Sequence, residues 1–169
     1  MRSGETQTGG WSRRGFVGGL AALAIAQRPG ALLAAATENP WRIDVHHHFL
    51  PKSYLDFLSR HRLSMGFGKW SAQSDLAGMD AYGTATAILT ITNPGFGQGH
   101  VEDSRQAVRE ANEAAARLRS DHPGRFGSFA ALPLTDTEGS LREIEYALDT
   151  LKAEGVGLFS SYTDKWLGH

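Results

Sequence analysis

Ile43-Asp44-Val45-His46-His47-His48-Phe49-Leu50-Pro51 sets three consecutive histidines between apolar residues and ends at a proline. The run reads as a buried β-strand. Side chains alternate faces along a strand, so Asp44, His46 and His48 share one side while Val45, His47 and Phe49 share the other. Two imidazoles two residues apart at a strand end can converge on one divalent ion, with a nearby carboxylate as a further ligand or as the group that orients an imidazole. These residues alone also leave open a packed or surface cluster of polar rings, although three mid-chain histidines beside Ile, Val and Phe are too few for a tag. A buried neutral imidazole still needs hydrogen-bond partners, and a lone strand end does not supply them.

Asp44-x-His46-x-His48 followed by Phe49-Leu50-Pro51 resembles the opening of the amidohydrolase superfamily. More narrowly, it is similar to the amidohydrolase-related branch that contains aminocarboxymuconate semialdehyde decarboxylase and the resorcylate-type decarboxylases. Ala111-Asn112-Glu113, His122-Pro123-Gly124-Arg125-Phe126-Gly127, Ala131-Leu132-Pro133-Leu134 and Gly155-Val156-Gly157-Leu158 carry the resemblance onward, so that it runs from about Trp41 to the end of the chain. The resemblance implies a metal-dependent (β/α)8 TIM barrel in which His46 and His48 bind a divalent metal, usually zinc, at the C-terminal mouth. Asp44 is then a ligand or, in the role we favour, the orienter of an imidazole. A metal so held lowers the pKa of its water to about 7 and polarises a substrate oxygen. Hydrolytic relatives use that water on C–N or C–O bonds, whereas the decarboxylase branch releases carbon dioxide from a carboxylated substrate. The implied function is a metal-dependent carboxy-lyase or hydrolase acting on a small carboxylated or cyclic molecule.

The remaining polar residues read more plainly. His47 should point away from the metal and pack behind the strand. His61, His100 and His122 are lone histidines in loops or at helix ends, with His122 serving a helix C-terminus electrostatically. Asn93 ends a strand at the face where barrel sites form, though the following Pro94 suits it to a turn. Asn112 and Glu113 read as structural.

Along the chain after the histidines, residues 51–62 read as a helix with Tyr54, Leu55 and Leu58 on its apolar side. Residues 64–74 read as a loop with aromatic anchors, including Trp70, and 75–82 as a short helix. Residues 84–92 suit a second strand, and the glycine-rich 95–99 a strand-to-helix connection. Val108, Ala111, Ala115 and Leu118 predict a long helix over 101–121, stopped by His122-Pro123-Gly124, with Glu113 and Arg117 as an outer i,i+4 pair. A third strand over 125–132 follows. Thr135 and Glu138 have capping-box spacing for the next helix, whose stripe is Leu141, Ile144, Leu148 and Leu151 and whose end is capped by Gly155. Residues 156–160 form a fourth strand.

This alternation is the pattern of βαβ units and a parallel sheet. Four such units make half of a barrel that typically takes about 250 residues. The fold expected is therefore the N-terminal half of an α/β TIM barrel, a truncated enzyme without the third histidine and late aspartate that the resemblance implies. A half sheet exposes two strand edges and an apolar inner face. The alternatives are a non-catalytic metal-binding or self-associating half barrel, in which homo-oligomers form, and an inactive remnant.

The 169 residues carry 41% hydrophobic and 21% charged side chains, enough for one folded core. A net charge of −1 leaves no basic footprint for nucleic acid, and with no cysteine there are no disulfides, thiol nucleophiles or cysteine zinc sites. A small-molecule substrate is the expected partner. Ser12-Arg13-Arg14-Gly15-Phe16-Val17, an apolar run and Ala34-Ala35-Ala36 resemble a twin-arginine export signal over 1–36. Its roughly ten apolar residues are too few for a stable membrane span. Cleavage there would leave residues 37–169 as an exported, periplasmic barrel domain with 13 basic and 17 acidic side chains.

Overall fold

The computed structural model describes residues 41–63, 66, 69–97 and 99–168; the expected export signal lies outside them. Four strands, β1 (Arg42–His48), β2 (Thr84–Thr90), β3 (Phe126–Ala130) and β4 (Gly155–Val156), pair in parallel and in sequential order. Between them run α1 (Lys52–Arg60), α2 (Ala72–Tyr82), α3 (Val101–Asp121) and α4 (Thr137–Glu145), the last continuing into a π turn over Tyr146–Thr150. A small antiparallel hairpin, β5 (Ser161–Tyr162) with β6 (Lys165–Trp166), follows β4. No helix among the described residues is long and apolar enough to cross a membrane.

The core lies between the outer face of the sheet and the helices. Phe57 and Leu58 from α1 meet Ala87 and Leu89 from β2 and Ala107, Val108, Ala111 and Ala115 from α3. Each large apolar side chain so buried stabilises the fold by about 1.5–3 kcal/mol. The long helix takes the expected bounds and the expected face, because small residues let its backbone approach β3 and His122 with Gly124, at φ +77°, turns the chain away. Glu113 and Arg117 form the outer pair at 3.8 Å.

Local chemistry moved several boundaries. In α1 the buried stripe is Tyr54, Phe57 and Leu58, whereas Leu55 faces solvent. Helix α2 begins three residues before the predicted start because the Ser71 hydroxyl accepts the Ser74 N–H and caps it there. β2 and β3 are each shorter than predicted. The cap of α4 is Asp136, which accepts the Gly139 N–H, not Thr135.

The α4 stripe is also different. Leu141 and Leu148 are exposed, and Ser140, Glu143 and Ala147 face inward. Glu143 is drawn in because Asn112 Nδ2 donates to one of its oxygens at 2.8 Å and Arg109 Nε to the other at 2.8 Å. A buried carboxylate so paired can occupy a position that periodicity would give to leucine. The helical region ends at Lys152, at φ +57°, rather than at Gly155, which already lies in β4. β4 is only two residues long; beyond it the chain turns into the hairpin instead of continuing to residue 160 as a strand.

Candidate metal centre

The first strand does not alternate strictly. Asp44 pairs with Ala87 and His47 with Leu89, so three steps along β1 match two along β2. This bulge re-aims the side chains around it. His46 and His48 stay together, their Nε2 atoms 2.9 Å apart and their ring centroids 4.8 Å apart. Asp44 leaves them. Its carboxylate meets His47 Nδ1 at 3.0 Å and accepts the His46 backbone N–H at 3.1 Å.

His47 is held on both sides, since its Nε2 lies 2.9 Å from Asp75 Oδ2, which also accepts the Trp70 indole N–H at 2.7 Å. Burial opposes charge on this ring, but the hydrogen bonds to Asp75 and then Asp44 outweigh it and raise its pKa. Asp44 is shifted the other way: burial would raise it, and the bonds to His47 and the His46 N–H prevail and lower it. Burial and then the neighbouring imidazoles lower His48, favouring the neutral ring.

The His46–His48 pair faces a cavity of about 480 Å³ at the C-terminal ends of the strands. Thr90 and Thr92 stand beside the imidazoles on β2 and its continuation, while Phe129, Leu158 and Phe159 form apolar walls. Phe159 packs so closely over Gly95 that a Cβ there would stand 2.5 Å from the ring, and Gly95 sits at φ +74°, where glycine alone is at ease. This contact fastens the segment after β4 onto the loop after β2.

The donor set suits a divalent ion. His46 Nε2 and His48 Nε2 meet as a ring-to-ring hydrogen bond at 2.9 Å, and a modest opening to the roughly 3.3–3.4 Å between nitrogens on a tetrahedral ion would let both bind one metal. No group of three or more His, Asp, Glu or Cys side chains able to hold a metal occurs among the described residues. Asp44, expected beside the pair, serves His47 instead. Asn93 lines the cavity. His61 and His100 stack on one another at 3.6 Å, and His122 packs edge-on against Phe126; none of the three lines the cavity. Asn112 is structural, bracketing Ala131 with bonds to its N–H and C=O.

Asp75, the cavity aromatics and Tyr162 escaped the sequence reading. The Ser71 cap could have exposed Asp75, since it places that carboxylate in the first turn of α2 next to Trp70. Nothing local marks Tyr162, which reaches the cavity only through the hairpin.

A family model described as amidohydrolase matches residues 43–169. The chain belongs to the amidohydrolase family. Among curated relatives of this amidohydrolase-family chain, decarboxylase yanB of Aspergillus niger is 43% identical over 137 residues, covering 76% of the chain and 37% of the relative. The 6-methylsalicylic acid decarboxylase of Penicillium expansum is 38% identical over 135 residues, covering 76% and 42%. The chain thus spans less than half the length of these relatives. A crystal structure of an amidohydrolase II superposes with a TM-score of 0.72 at 26% identity, over 76% of the chain and 44% of that structure. A Polaromonas dihydroxybenzoic acid decarboxylase with bound manganese and 2-nitroresorcinol gives 0.57 at 23% identity, over 68% and 37%. The parallel α/β sheet is of the kind found in these amidohydrolase structures.

Proposed function

We propose that this chain is the N-terminal half of a (β/α)8 barrel enzyme, a metal-dependent decarboxylase of hydroxylated aromatic carboxylic acids. The observation that carries the reading is the convergence of His46 Nε2 and His48 Nε2, 2.9 Å apart, on a cavity with aromatic walls. Relatives that decarboxylate 6-methylsalicylic and dihydroxybenzoic acids support the substrate class over hydrolysis.

A divalent ion bound there would supply Lewis-acid polarisation of a carboxylate or phenolate oxygen. His46 and His48 would hold it through Nε2. Their neutral form is the one that can bind, and burial with neighbouring imidazoles favours it at His48. The Phe129, Leu158 and Phe159 side chains offer an aromatic ring an apolar surface to lie against. In the reaction the carbon–carbon bond to the carboxylate breaks, carbon dioxide leaves and the ring carbon takes up a proton. Zinc was the sequence expectation; the manganese of the Polaromonas structure supports a divalent ion and speaks for manganese. Export by the twin-arginine signal, with a small-molecule substrate, completes the reading.

Metal analysis after dialysis against manganese or zinc tests it. In the complete barrel to which this half belongs, about one ion should bind per chain, with salicylic acids releasing carbon dioxide, and His46→Ala with His48→Ala should abolish both. Retained metal in the double variant would falsify the site.

A second reading rests on β1 as an edge strand: its side away from β2 pairs with no other strand among the described residues, and Trp41, Ile43 and Val45 on or beside it are 73, 63 and 61% exposed. Such an edge suits a non-catalytic, self-associating module. Light scattering separates the two readings, because a stable monomer excludes the second.

A further inference from the structure

A smaller cavity of about 240 Å³ adjoins the histidine cavity, with Asn93 and Tyr162 lining both. The two spaces differ in chemistry. Phe129, Leu158 and Phe159 make the larger one a slot for a flat apolar body, whereas Ser161 and Thr163 give the smaller one a polar lining.

Tyr162 is fixed at this junction. Its hydroxyl oxygen accepts the Phe159 backbone N–H at 2.9 Å, and its ring lies 5.6 Å from the Phe159 ring, which is itself seated over Gly95. One function of the hydroxyl is thereby used. Its proton remains to donate, and no described residue accepts it. Burial raises its pKa, with the Phe159 N–H partly opposing, so the group stays a donor at neutral pH.

We propose that Tyr162 is a specificity-determining residue whose O–H donates to a second oxygen substituent of an aromatic acid, on the ring edge away from the carboxylate held at His46 and His48. That substituent enters the smaller polar cavity. The proposal rests on the reading of the large cavity as a site for aromatic carboxylic acids. A hydroxyl on the ring is then selected over a methyl of the same size, because a methyl would leave the Tyr162 donor unpaired.

Calorimetric titration of the manganese-loaded full chain tests this with three acids: salicylate, its para-hydroxy derivative and its para-methyl derivative. The unmutated protein should bind the para-hydroxy acid about tenfold more tightly than the para-methyl acid. Tyr162→Phe should bring the ratio of para-hydroxy to para-methyl affinity to about one. Because the variant also removes the acceptor of the Phe159 N–H, salicylate binding reports whether the cavity is intact. Equal affinities in the unmutated protein, or a para-hydroxy preference kept in the variant, overturns the role of Tyr162 while leaving the aromatic-acid reading in place. If the unmutated protein binds none of the acids, that reading falls and the proposal falls with it.

Discussion

Asp75 Oδ2 lies 2.9 Å from His47 Nε2, on the opposite side of the imidazole from Asp44. This pairing ties the first turn of α2 to the strand that carries His46 and His48. The same oxygen accepts the Trp70 N–H, so one carboxylate anchors a strand, a helix and the loop between α1 and α2. Asp75→Ala removes both bonds from a part-buried site and should destabilise the protein by about 2 kcal/mol, measured by urea unfolding. Trp70 emission should shift to the red as its indole N–H meets water. An unchanged unfolding midpoint would mean that the three groups are not joined.

Tyr54 gives a pH signature of its own. It is fully buried, donates to the Thr92 carbonyl at 2.9 Å and accepts the Gly95 N–H at 3.2 Å. Burial pushes its hydroxyl up to about 12, the Gly95 N–H opposing in part. The folded state therefore holds this proton more tightly than the unfolded chain, whose tyrosines titrate near about 10. Stability should be full below about pH 10 and fall between about 10 and 12. Tyr54→Phe should cost about 1–3 kcal/mol at neutral pH and flatten that alkaline decline in urea titrations.

What the sequence makes legible is what short-range chemistry determines. The small residues of α3 are spaced so that its bounds and buried face can be read directly, and the paired imidazoles of β1 follow from period-two alternation. Asp44 shows the limit: a one-residue bulge, fixed by how β1 meets β2, sends it to His47, and no local pattern announces that register. The leucines of α4 fail for a related reason. Their spacing is helical, but Glu143 is held inside by Asn112 and Arg109 from another helix, and that pairing rotates the leucines outward.

Asn112 makes that tertiary bond measurable. Its side chain accepts the Ala131 N–H at 2.9 Å and donates to the Ala131 carbonyl at 3.0 Å and to Glu143 at 2.8 Å, acting as a surrogate strand edge beyond β3. Asn112→Ala leaves three buried polar groups short of a partner, and about 3 kcal/mol of destabilisation is expected. Amide exchange at Ala131 should accelerate more than at Phe126, at the start of β3. Uniform acceleration along β3 would point to general loosening instead.

The start of α4 offers the sharpest contrast between pattern and structure. Thr135 has the capping-box spacing, yet Asp136 accepts the Gly139 N–H at 3.1 Å and the Arg105 Nε–H at 2.5 Å. Arg105, and then the Gly139 N–H, hold the Asp136 carboxyl down to about 2 from 3.8. A carboxylate with a depressed folded pKa contributes stability above its unfolded value, and that contribution should fade as pH falls from about 4 to about 2. Asp136→Asn, which keeps a capping oxygen but no charge, should lower the melting temperature at neutral pH and flatten this acid decline. Asp136→Ala should lower it further, because the cap is lost as well. Thr135→Ala should leave the melting temperature unchanged. If Thr135→Ala proved the more damaging variant, the helix would start where the sequence pattern puts it, and the ion pair of Asp136 with Arg105 would be incidental to its cap.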